Sequence, residues 1–190
     1  MDRTLQWHLL NEGHVKRAPL ARGIAWGLFG GLAGTMVMDI LLMGALLALR
    51  QSALMCFSIV GDTVSRFLAV FGTQIASDVP TGLVAHYVIG PLVGMLFGAA
   101  VTMFPTLRGG TLKKITIAAF VYVEILSQPI LATTPILLKM KAPATLQWFS
   151  GSFVMHLVLS IVLGVIVGHG LRQESASRSK FVRIHSTRRS

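Results

Sequence analysis

The chain has 190 residues, of which 53% are apolar and 13% charged, with 19 glycines and one cysteine, and its mean hydropathy is +0.69. A water-facing domain carries about 25% charged residues, so this composition excludes an ordinary soluble domain and points to an integral membrane protein. Cys56 alone forms no intrachain disulfide, and the absence of CxxC, HExxH and GxxxxGK[ST] removes the usual signatures of zinc-protease and nucleotide-driven chemistry.

Residues 1–22 form a polar arm containing Arg3, Glu12, Lys16, Arg17 and Arg22. The first apolar segment, about 23–49, exceeds the ~7–15 residues of a signal-peptide core and is long enough to cross the bilayer, which takes ~20 helical residues. It carries Gly23, Gly27, Gly31, Thr35 and Asp39 in steps of four. The next stretch, 51–72, places Leu54, Phe57, Val60, Val64, Phe67, Leu68 and Phe71 on one helical side. An amphipathic helix is expected there on the outer side of the membrane. It either lies flat at the surface or packs over the mouth of the bundle, and Asp62 and Arg66 are spaced for an i,i+4 pair.

Further spans are expected at about 81–104, 115–138 and 148–171. The second holds Gly82, His86, Gly90, Gly94 and Gly98; the fourth repeats those steps 70 residues later with Ser152, His156, Ser160, Gly164 and Gly168, and Val84 and Val88 match Val154 and Val158. The correspondence suggests two helical hairpins of common origin in the same orientation, a parallel repeat. Rows of small residues let helices approach closely in lipid. Gly27, Gly31, Gly90, Gly94, Gly98, Gly164 and Gly168 are therefore the packing candidates, a glycine zipper. The third span departs from this pattern: Glu124 and Gln128 share a face, and Pro129 withholds a backbone donor from the Ile125 carbonyl, which predicts a kink.

The basic tail, 172–190, cannot bury enough apolar surface to fold alone. It fits anionic lipid headgroups, and apart from Phe181 it lacks the aromatic residues that would suggest nucleic acid. Lys and Arg are divided 13 against 4 between the two sides of an even-numbered bundle, with the arm, the second connection and the tail on the richer side. The positive-inside rule then places both termini in the cytoplasm.

By helix rise, Asp39 and Glu124 lie ~15 and ~16 Å from the outer ends of their spans and His86 and His156 ~8 and ~12 Å, so with Gln128 they form a candidate intramembrane polar cluster. Three readings follow. Asp39–His86 and Glu124–His156 act as clasps within each hairpin, in a structural or accessory subunit that packs on itself or in a larger membrane complex; this leads. The alternatives are a small proton, ion or solute transport component and a haem- or transition-metal-binding protein using the two imidazoles and two carboxylates. No catalytic residue, resident cofactor or metal ligand is assigned, and an enzyme ranks last.

The run Gly-Leu-Ala-Gly-Thr-Met-Val-Met-Asp at 31–39, with the paired His-containing glycine helices, resembles a broad group of small uncharacterised prokaryotic membrane proteins, some of them YagU-like. The resemblance covers about 23–171. It implies a prokaryotic cytoplasmic (inner) membrane and a link with acid resistance, and it brings no established site residues. The expected architecture is an all-α, polytopic four-helix bundle built from two parallel-repeated hairpins.

Overall fold

A computed structural model describes the backbone of residues 3–187 and the side chains of 19–173. Every element among these residues is helical: α1 (Arg3–Ala48), α2 (Met55–Val70), α3 (Val79–Met103), the single turn α4 (Pro105–Arg108), α5 (Leu112–Leu137) and α6 (Ala142–Thr187). Pro19–Ala48, Val79–Met103, Leu112–Leu137 and Ala142–Gln173 are long and apolar enough to cross a membrane. Their outward faces carry Ile40, Val84, Ile125 and Phe153, all exposed. So much continuous apolar surface is at home in lipid and not in water, and the chain is an integral membrane protein with a four-helix bundle.

The helix starts follow from caps that hydropathy does not reveal. The Asp78 carboxylate accepts the Thr81 N–H at 2.9 Å with Pro80 in the first turn, so α3 opens two residues before its apolar run. Thr111 caps α5 through the Lys114 N–H at 3.2 Å. Capping holds the Asp78 carboxyl below the usual carboxylate range. The helices also run into the expected arm and tail, since extending an existing helix needs no new nucleus. The expected lipid contacts of the tail side chains lie outside the described residues.

α1 is the central helix, packed against α3 on one face and α6 on another; α5 packs on α6, and α2 lies against α3 and α5. Glycines explain the asymmetry. Gly23, Gly27 and Gly31 meet the carbonyls of Gly98, Gly94 and Gly90, while Gly30 and Gly34 receive Leu163 and Leu159 of α6. A Cβ at Gly27 or Gly94 would overlap the carbonyl oxygen opposite, so only glycine permits this approach. The core beside the seam contains Phe97, Val101, Ala119, Val123, Leu163 and Val167.

Of the two placements open for the amphipathic segment, the structure takes the packed one. Phe57 is buried, Gly82 touches the Phe57 backbone, and Thr63 hydrogen-bonds Thr134 of α5 at 3.2 Å. Residues four apart advance about 40° around a helix. The row that faces α1 at Gly98 has therefore turned toward α2 by Gly82. The expected Asp62–Arg66 pair is replaced by tertiary contacts: Asp62 accepts from the Ser77 hydroxyl, and Arg66 donates to the Leu137 carbonyl at 3.3 Å.

Candidate functional site

The glycine ladder between α1 and α3 ends at the first polar pair. Side chains lean toward the N-terminus of their own helix, and α1 and α3 run antiparallel, so Asp39 and His86 lean toward each other. His86 Nδ1 stands 3.1 Å from Asp39 Oδ1. Asp39 is 3% exposed, and its second oxygen, Oδ2, has no hydrogen-bond partner. The Tyr87 hydroxyl stands toward the same carboxylate but outside hydrogen-bond geometry. On the α2 side the Phe57 ring meets the imidazole edge-on at 5.3 Å between centroids.

The α5/α6 hairpin holds the second pair more loosely. His156 Nδ1 lies 3.9 Å from Glu124 Oε1, too far for a hydrogen bond, and 3.0 Å from Ser127 Oγ. The single Ser127 hydroxyl proton goes to the Val123 carbonyl at 2.6 Å, so Oγ accepts from His156 Nδ1–H. Glu124 Oε2 accepts from Gln128 Nε2 at 2.9 Å, while Oε1, facing the imidazole, is buried without a partner. Both imidazoles thus turn Nδ1 toward their own hairpin, which leaves Nε2 as the basic nitrogen of each neutral ring.

The polar residues therefore assemble as two pairs, with Gln128 on the outer side of the second. Among the described residues no three His, Cys, Asp or Glu side chains converge on one point, so the donor set expected for a metal is not formed. Of the packing candidates, Gly27, Gly31, Gly90, Gly94 and Gly98 line the α1/α3 seam, and Gly164 and Gly168 face Thr116 and Leu112 of α5.

Two features escaped the sequence reading. Pro135, in the last turn of α5, leaves the Leu131 carbonyl without its helical donor, and Trp148 Nε1 on α6 donates to that oxygen at 3.1 Å; the proline marks the open carbonyl, but nothing local marks its donor. Cys56 lies in α2 near Asp39, its thiol pushed up to about 11 by burial and, second, by the Asp39 charge. No family model, curated protein or solved structure matches the chain.

Proposed function

We propose that the protein is a proton-handling membrane component, in which the two carboxylate–imidazole pairs bind and release protons inside the bilayer. One observation carries this reading: each pair keeps a buried carboxylate oxygen, Asp39 Oδ2 and Glu124 Oε1, with no donor. A clasp that serves only to hold helices together gains from satisfying both oxygens, because an unpaired buried acceptor costs about 1–3 kcal/mol. A charged carboxylate at a span centre costs roughly 2.5–3.5 kcal/mol on insertion scales. A proton on either orphan oxygen removes that charge, and a free Nε2 on each ring offers the next acceptor.

With the termini cytoplasmic, as the Lys and Arg distribution favours, the layer sits in the outer half of the bilayer and α2 stands between it and the outside. The link of YagU-like proteins with acid resistance agrees with a device that responds to external protons. A second reading, a structural or accessory subunit, draws on the reciprocal glycine seam.

Purified protein in liposomes carrying an internal pH dye separates the two. The proton reading expects a pH jump to dissipate at least tenfold faster than in empty vesicles, with the excess lost when Asp39→Asn and Glu124→Gln are combined in protein that keeps its helical spectrum. Flux equal to that of empty vesicles overturns it and leaves the structural reading.

A further inference from the structure

The outward face of α5 carries Ile117, Val121 and Ile125, all exposed, and the same face continues to Gln128, also exposed. Gln128 lies nine residues before Leu137, the end of the span, or ~14 Å along the axis. It is therefore within the hydrocarbon, where a polar group without a partner is costly. Two other polar side chains of the spans have a local remedy: exposed Ser150 and half-buried Thr133 turn their hydroxyls onto the carbonyls of Leu146 and Ile130. An amide has two N–H groups and a carbonyl. One N–H is used on Glu124 Oε2, and among the described residues nothing answers the second N–H or Oε1.

The geometry points to a second copy of this chain as the group that covers this face. A primary amide is its own complement, with donor and acceptor side by side. Two copies inserted in the same orientation carry Gln128 at the same depth, so a twofold axis along the membrane normal beside α5 pairs each Gln128 Oε1 with the other's N–H. An isologous contact of this kind satisfies both groups with one residue, while Ile117, Val121 and Ile125 supply the apolar packing around it. The contact also closes the lipid side of the Glu124–His156 pair, since Glu124 is held through the same amide. The inference stands on Gln128 alone and does not depend on proton handling.

The test uses the full chain labelled for energy transfer and diluted in lipid. Self-association is expected, weakened at least tenfold by Gln128→Leu and retained in larger part by Gln128→Asn. In a Cys56→Ser background, Ile125→Cys should form an interchain disulfide on mild oxidation, and Ile40→Cys, on the exposed face of α1, should not. Circular dichroism and the retention volume of monomeric Gln128→Leu confirm that the variant is folded. A wild-type chain that stays monomeric at every protein-to-lipid ratio overturns the proposal. So does unchanged association of Gln128→Leu, cross-linking through Ile40 in place of Ile125, or a stoichiometric complex with a different membrane protein on this face.

Discussion

The two hairpins solve one problem with different tolerances. Between α1 and α3, glycine faces glycine and backbone touches backbone, and the pair at the end of the ladder is a direct 3.1 Å contact with Asp39 almost fully enclosed. Between α5 and α6 the glycines lie on α6 only and meet side chains as well as backbone; the imidazole reaches its carboxylate at 3.9 Å with Ser127 as its hydrogen-bond partner. Close backbone approach sets the rigidity of the first pair, and its lack leaves Glu124 shared between His156 and the outward-facing Gln128. Two sites of the same residue types are thereby given different surroundings: a direct carboxylate–imidazole contact in one, and a serine and an amide between the partners in the other.

A single added methyl should separate the two hairpins most strongly. Gly94→Ala drives a Cβ into the Gly27 carbonyl and should cost about 2–4 kcal/mol or prevent folding. Gly168→Ala crowds the flexible end of one side chain, Leu112 Cδ1 at 2.7 Å, with Ile115 at ordinary contact distance, and should stay within about 1 kcal/mol of wild type. The helix-propensity gain is common to both, so the difference in unfolding free energy, measured by denaturation in mixed micelles, isolates the seam. Equal costs would remove the distinction between the hairpins.

The histidines come next. His86→Leu strands the Asp39 carboxylate and should cost about 1–3 kcal/mol, with much of the loss recovered on adding Asp39→Asn. His156→Leu should cost about 1 kcal/mol less, because Glu124 keeps Gln128 and Ser127 keeps the Val123 carbonyl. The same denaturation series ranks them, and a reversed order would contradict the geometry.

How far these features could be read in the sequence depends on the range of the interaction behind them. The spans, the steps of four and the pairing of Asp39 with His86 follow from apolar length and helical period, which are local. The seating of α2 was not legible: Phe57 and Val60 look alike in a helical projection, and only the rotation of the α3 row at Gly82 shows that Phe57 is buried. Asp62 and Arg66 are spaced for an ion pair, but spacing cannot weigh that pair against the Ser77 hydroxyl and the Leu137 carbonyl, brought close by the fold. The Trp148–Leu131 bond joins two helices and has no local signature.

That bond gives a smaller prediction. Trp148→Phe should cost about 1 kcal/mol, and little in a Pro135→Ala background, where the backbone N–H of residue 135 again serves the Leu131 carbonyl. A double-mutant cycle with no coupling would show that the indole N–H does not substitute for the missing donor.

Cys56 sharpens the first hairpin from outside the spans. With its thiol pushed up to about 11, the thiolate at pH 8 is roughly a hundredfold scarcer than on a free cysteine, and alkylation should be slowed accordingly. The folded state holds this proton more tightly than the unfolded chain, so the associated stability is present below the ordinary thiol range and is lost as pH rises toward 11. Asp39→Asn removes the second cause and should speed alkylation by a few-fold, ~2–5. An unchanged rate would mean that the Asp39 charge does not reach α2.

Infrared difference spectroscopy of the protein in membranes during a pH titration tests the proposal that the two carboxylate–imidazole pairs are separate proton sites. Protonation of a buried carboxylate produces a carboxylic C=O band. Two such bands are expected, one lost in Asp39→Asn and the other in Glu124→Gln, each variant leaving the remaining band in place. A titration with no carboxylic band, or with bands that neither substitution removes, would contradict it.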